Sequence, residues 1–394
     1  MIYLIILLYT IILIIRYDLK RCEKNDYMHS WALFILISAT SGFGYRLGYD
    51  GIGYSNIFDN LFPDISKYQF FGPDMFTSGN EPIWLFLNVV IKQFTGEFLY
   101  VKLIVSLFVN GTIFWFLKKH SPAFYLSIFF YLIYGFFNFN FEILRESIAV
   151  AFFLIALDKM CENKRDYLHY YLWCIPVILC HSFGIIVLFF PVFFNLKINT
   201  HYFIILSILF LLSPLLGNAL SDFSIGFQLM EGQLVRIQEY MEHEKYGIIT
   251  NNSIFFLLKI SLFAIFPYII MILYSRSEKK ICMSCALSYI IVLMLTQSSF
   301  FIAYRFKNYL LIPTTVILAD AIYSAIVLKK IDGLPTFMKT IDIVKVIFIY
   351  MIVLSIYSNI TSSLFPFYYP YVSVFEKDTY NNMERDTYYL NYGK

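Results

Sequence analysis

The few charges in this chain fall between its apolar runs, and they fall unevenly along it. Of 394 residues, 59% are hydrophobic and only 14% charged. An ordinary soluble domain cannot keep that much apolar surface from water. A helical bilayer span takes roughly 20 apolar residues. Apolar runs recur at Ile2–Ile15, Trp31–Phe43, Phe98–Leu117, Phe124–Phe137, Ile148–Leu157, Tyr167–Leu179, Phe183–Phe194, Tyr202–Leu220, Ile254–Tyr274, Ile281–Thr296, Phe306–Leu328 and Ile343–Ile360. The pattern predicts an all-α, polytopic integral membrane protein of about 12 transmembrane helices, with residues 1–394 as a single membrane domain. The shorter runs must extend into flanking polar residues or cross a locally thin bilayer. Met1–Ile15 lacks a basic leader and a small-residue cleavage site, so it reads as a retained first span.

The basic residues set the orientation. Lys and Arg cluster at Arg16/Lys20/Arg21/Lys24, Lys118/Lys119, Lys159/Lys164/Arg165, Lys197, Arg276/Lys279/Lys280 and Lys329/Lys330/Lys339, which the positive-inside rule places in the cytoplasm. Two long loops, 44–81 and 221–251, then face outward with the tail 364–394; each loop holds five Asp/Glu against two Lys/Arg. Pro82–Lys92 is about half a span long. If it crossed, every later basic loop would face outward, so it is expected as a half-helix or interfacial helix on the outer side. Irregular backbone at membrane depth needs cover from protein or a wet cavity, so the outer face should hold a cavity. The basic residues are loop anchors, and the net charge is only +3, which speaks against nucleic acid as a partner. The six cysteines form no disulfide framework, and Cys282-Met-Ser-Cys285 lacks a second ligand pair for a metal.

Single arginines lie at the outer mouths of apolar segments, where a membrane normally expels charge, and this points to an anion site. Arg46-Leu-Gly48-Tyr49-Asp50-Gly-Ile-Gly-Tyr54 follows the second span and reads either as an anion clamp or as an Arg46–Asp50 pair holding the loop. Glu81-Pro82 reads as a helix cap or as a base or hydroxyl ligand at a cavity rim. In Glu142-Ile-Leu-Arg145-Glu146, spacings of three and four allow an intrahelical ion pair, or a functional arginine with flanking carboxylates. His181, between two spans, is a packing histidine or a phosphate or hydroxyl ligand. Tyr304-Arg305-Phe-Lys307-Asn308-Tyr309 carries two cations at another mouth, as interface anchors or as anion ligands. Walker, HExxH, GxSxG and DxD patterns are absent, so a nucleotide-bound donor is not expected.

Taken in order, Arg46/Gly48/Asp50/Tyr54, Glu81/Pro82, Arg145/Ala149, His181/Ser182 and Arg305/Tyr309 resemble the motifs of the EpsG/Wzy-type bacterial polysaccharide polymerases, over about Trp31 to Ala325. Glu146 stands where that pattern would carry Gln. The resemblance implies a GT-C-like fold. It also implies a glycosyltransferase in the bacterial inner membrane, with its active site facing the exterior. Such an enzyme acts on undecaprenyl-pyrophosphate-linked oligosaccharide, making O-antigen, capsule or exopolysaccharide, with membrane lipid and a chain-length regulator protein as partners. On that reading Arg145 and Arg305 neutralise the pyrophosphate leaving group with Arg46 in support, and Asp50 or Glu81 serves as general base. Tyr54, Glu142, His181, Lys307 and Tyr309 would line the substrate, and no metal or cofactor is called for. The competing class is a flippase for the same lipid-linked units, which should show repeated halves and access from both sides. An O-acyltransferase would want a histidine facing the cytoplasm, and a scaffold in an export complex would need none of these residues.

Overall fold

The computed structural model describes residues 1–22, 24–72, 81–161, 165–197, 265–275, 277–295, 300–327, 340–377 and 383–392, with Tyr202 and Ile208. The expected loop 221–251 lies outside the described residues, as do most of the runs Tyr202–Leu220 and Ile254–Tyr274. Among the described residues the secondary structure is helical, with one isolated bridge between Gly44 and Ser373.

The helices follow the apolar runs. They are α1 (Ile2–Leu13), α2 (Asp26–Gly42), α3 (Tyr49–Asp59), α4 (Pro82–Phe94), α5 (Leu99–His120), α6 (Phe124–Tyr134), α7 (Leu144–Cys161) and α8 (Tyr167–Cys180), then a 3-10 helix over Ser182–Phe193. After these come α9 (Phe266–Tyr274), α10 (Lys280–Leu295), α11 (Phe300–Val327), α12 (Thr340–Thr361), α13 (Phe365–Tyr368) and α14 (Met383–Tyr392). Among the described residues, four segments are long and apolar enough to cross a bilayer: Ile2–Leu19, Leu99–His120, Tyr304–Ile326 and Val344–Thr361. Pro82–Phe94, Phe124–Tyr134, Tyr167–Cys180, Ser182–Phe193 and Lys280–Leu293 are apolar but shorter.

Apolar helices gain little from one another by the hydrophobic effect alone, so small and polar residues join them. Ser41 and Ser106 link α2 to α5 through a side-chain hydrogen bond, and Ser106 Oγ also donates to the Ser38 carbonyl at 2.8 Å. Asn110 Nδ2 donates to Asn140 Oδ1 at 2.9 Å, Tyr131 donates to Asn110 Oδ1 at 2.7 Å, and Asn140 Nδ2 donates to the Tyr131 hydroxyl at 2.7 Å. These bonds form a closed triangle in the buried core. Buried polar networks of this kind are costly when half satisfied and rigid when complete.

The bundle has two chemically different ends. Asp26, Lys118, Lys119, His120, Asp158, Arg21 and Tyr323 meet at one. At the other lie the segment 43–48, α3, the starts of α4, α7 and α11, and the end of α8. Pro82–Phe94 is a 13-residue helix beside α5 and α8, in line with the expected short helix. The stretch 44–81 is not simply a loop: Tyr49–Asp59 folds into α3, burying Gly51, Ile52, Tyr54 and Phe58. The tail folds back over the same end. Tyr45 N donates to the Val372 carbonyl and Val374 N to the Phe43 carbonyl, both at 2.8 Å.

Candidate functional site

The site is organised around the junction between α6 and α7. Residues Asn138–Glu142 form a wide π-type turn, a geometry that often marks functional positions. Its last residue, Glu142, accepts hydrogen bonds from the backbone N–H groups of Tyr49 (3.0 Å) and Asp50 (2.9 Å), and from the Tyr368 hydroxyl. The first N–H groups of a helix have no partners within it, so Glu142 caps α3 from another element. Such contact demands close approach. Gly48 adopts a left-handed φ of +83°, and a Cβ there would stand 2.4 Å from the Phe141 carbonyl oxygen. Only glycine suits that backbone and that space.

The local sequence allows Arg145 to pair with Glu142 or with another glutamate on its own helix, but the fold sends these side chains to other elements. Arg145 Nη1 donates to Glu81 Oε2 at 2.6 Å, and its Nε reaches the Tyr54 hydroxyl at 3.5 Å with the guanidinium 5.5 Å from that ring centre. Glu81 therefore does not cap α4 with its side chain; it is buried against Arg145. Glu146 turns to α11, where Arg305 Nη1 pairs with one carboxylate oxygen and Asn308 Nδ2 donates to the other at 3.0 Å. Asn308 Oδ1 accepts in turn from Asn138 Nδ2 at 3.1 Å, which ties the pair back to the π turn.

These pairs share one electrostatic neighbourhood. Asp50 feels both Arg305 and Arg145, and so do Tyr54 and His181. Asp50 is exposed, while Glu81, Glu142 and Glu146 are buried. It thus faces the open side of a cluster whose other carboxylates are already engaged. His181 is buried beside both guanidiniums, and its Nδ1 has no hydrogen-bond partner among the described residues. Tyr309 lies behind Arg305, fully buried, edge-on to Phe153 with ring centroids 5.7 Å apart.

Two residues read from sequence as part of this group are placed elsewhere. Arg46 pairs with Asp386 of α14 at 2.8 Å and lines a different cavity. The Arg46–Asp50 pair suggested by local spacing is not formed; Arg46 takes Asp386 instead. Lys307 lies on another face of α11 from Arg305, because two helical steps turn through about 200°. It sits 4.9 Å from the Tyr304 ring centre and lines a cavity of about 350 Å³ with Tyr134, Tyr268 and Tyr289.

A family model, described as the EpsG family, matches residues 27–376. The chain belongs to the EpsG family. No curated protein and no solved structure matches it. Membership points to a general role in polysaccharide polymerisation, and an all-helical chain with several apolar helices suits a membrane-embedded member of the EpsG family. Within this member, sequence reasoning missed Tyr368 and Asp386, which close on Glu142 and Arg46 from more than 200 residues away. The tail 364–394 was read as an outer segment, but nothing local says which of its tyrosines meets which acid.

Proposed function

We propose that this EpsG-family chain is a glycosyltransferase that joins lipid-linked oligosaccharide units at the arginine end of the bundle. The growing chain on one polyprenyl pyrophosphate is transferred to a sugar hydroxyl of an incoming unit. The bond between the anomeric carbon and the pyrophosphate oxygen breaks with its electron pair going to the pyrophosphate. The acceptor oxygen forms the new bond as its proton leaves. A single displacement inverts the anomeric carbon. The observation that carries this reading is the convergence of Arg145 and Arg305 on one neighbourhood with exposed Asp50.

Each guanidinium is held by a buried carboxylate, Glu81 or Glu146, through one of its amino groups. A guanidinium carries five donors in a fixed fork, and the bonds of Arg145 to Glu81 and Tyr54 use only two of them. Pre-aligned donors of this kind act on charge as it develops, without reorganising at the moment of reaction. Asp50 suits the general base better than Glu81, because Glu81 is enclosed and already paired, whereas Asp50 is open to an acceptor hydroxyl. His181 is suited to bond a phosphate or hydroxyl oxygen. We place this end of the bundle on the exterior face of a bacterial inner membrane, in a GT-C-like arrangement acting on undecaprenyl pyrophosphate carriers.

The test is a strain lacking the gene, complemented with variants and scored for glycan length and for surface display. Loss of a polymerase leaves single repeat units outside the cell. If the deletion instead abolished all surface glycan, the flippase reading would replace this one.

A further inference from the structure

A second cavity, of about 230 Å³, opens on another side of α3 from the arginine pair. It lies between the segment 44–47, α3, the start of α5 and the folded-back tail at Val374 and Lys377. At its wall stands Lys102, which is 7% exposed. Its ammonium donates to the Gly44 carbonyl at 2.6 Å and lies 5.5 Å from the Phe141 ring centre. No carboxylate pairs with it among the described residues. The other charges of the cavity are engaged elsewhere or stand at the rim: Arg46 with Asp386, Lys377 with Glu97 at 3.7 Å, and exposed Asp59.

Three effects oppose a cation at this place. Burial strips its water. The Gly44 carbonyl and the Phe141 ring stand near the charge, but no carboxylate among the described residues compensates it. It also sits in the first turn of α5, the positive end of the helix dipole. An ammonium has three donors, and one carbonyl uses only one of them. A buried lysine amine with no carboxylate partner among the described residues, beside an open cavity, is poorly explained by stability and well explained by an anionic ligand that would hold it in its charged form.

We propose that this cavity is an oxyanion subsite, with Lys102 as its counter-ion, for an acidic group on the saccharide being extended. The position supports the assignment. Asp50 and Tyr54 line the arginine side of α3, and Gly51 and Ser55, one step further along, line this cavity. A saccharide running over α3 from the reaction centre would set a neighbouring residue here. The cavity has room for one small ring, with Phe98 and Tyr45 as apolar wall and Ser55 as a hydroxyl partner. The saccharide assignment rests on the glycosyl-transfer reading; the oxyanion subsite itself does not.

The experiment uses the full chain in detergent micelles and measures binding of methyl glucuronide, methyl glucoside, inorganic phosphate and pyrophosphate. The wild type and Lys102→Met are compared by titration and by Tm. We expect methyl glucuronide to bind the wild type and to weaken about tenfold in Lys102→Met, the loss of one charge-assisted hydrogen bond. The neutral glucoside should bind no better to the wild type than to the variant. The Tm of ligand-free Lys102→Met should equal or exceed that of the wild type, since an apolar stem replaces an uncompensated charge. Lys102-dependent binding of phosphate in place of glucuronide would support the oxyanion subsite and assign it to a carrier phosphate. Equal binding of glucuronide to both proteins, or of glucoside and glucuronide to the wild type, overturns the proposal. So does a Lys102→Met protein with lowered Tm and no pyrophosphate binding, which would make the lysine structural. Pyrophosphate binding that survives Lys102→Met but not Arg145→Ala keeps the arginine reading intact whatever the subsite result.

Discussion

Both ends of the bundle carry ion pairs, but they are built differently. At one, Lys118 and Lys119 are each 45% exposed; Lys118 meets the 36% exposed Asp26, and Lys119 reaches in from the rim to Asp158, which is buried and shared with His120. At the other, Arg145 and Arg305 are only 16% and 20% exposed, and their partners Glu81 and Glu146 are 2% and 1% exposed. Flexible lysines at a half-exposed rim hold helix ends together weakly and stay hydrated. Enclosed arginine–carboxylate pairs lose much hydration and repay it only with good geometry. A fold that needed nothing but anchoring would use the first kind at both ends. The planar guanidinium can hold its carboxylate with one edge and present another. This is why the arginine end reads as a site and the lysine end as a fastening.

The largest effect should separate charge balance from chemistry. Arg305→Met alone leaves Glu146 buried without its counter-ion, which should cost about 3–5 kcal/mol. Adding Glu146→Gln should return most of the lost Tm, while polymer formation stays down by ~10²–10³. Thermal melting of the purified proteins and glycan gels from complemented cells read the two quantities separately. If polymer came back together with stability, the arginine end would be a fastening too, and the contrast would vanish.

Gly48→Ala tests the joint that positions Asp50. Left-handed backbone and collision with the Phe141 carbonyl should together cost about 2–4 kcal/mol. Displaced α3 should shorten the glycan in cells even where the protein accumulates. Normal chain length with full Tm would show that α3 needs no such close approach. Tyr368→Phe is gentler, because Glu142 keeps its two backbone donors. A loss of about 1.5 kcal/mol is expected, with polymer still made. Smallest of all, Lys118→Ala at the opposite end should change stability by less than about 1 kcal/mol and leave glycan length as in the wild type. A Lys118→Ala strain with short glycan would mean that the two ends are not functionally distinct.

The bundle architecture was legible because hydropathy acts over each segment by itself. Within the described residues the apolar runs became helices, the half-length Pro82 segment stayed short, and Arg21, Lys118 and Lys119 gathered at one end. Tyr49–Asp59 was harder to read as a helix. Its apolar residues are few, and the cap that completes it is Glu142, 92 residues beyond Asp50. The same holds inside the site. Arg145 and Arg305 were visible as charges out of place, and the short spacing of Glu142, Arg145 and Glu146 suggested that they would pair among themselves. Instead each takes a partner on another element, and Arg46 is drawn off to Asp386.

Sequence alone therefore determined that the chain is a helical membrane protein, that its arginines stand at apolar segment mouths, and which family pattern they follow. Tertiary structure decided which arginines share a neighbourhood, which carboxylate is left open, and that Lys102 lines a cavity with no carboxylate partner among the described residues. The reason is one of range. Burial and periodicity are properties of a stretch of chain, whereas a buried charge chooses its partner by distance and orientation in three dimensions, and neither is fixed until helices far apart in sequence have packed.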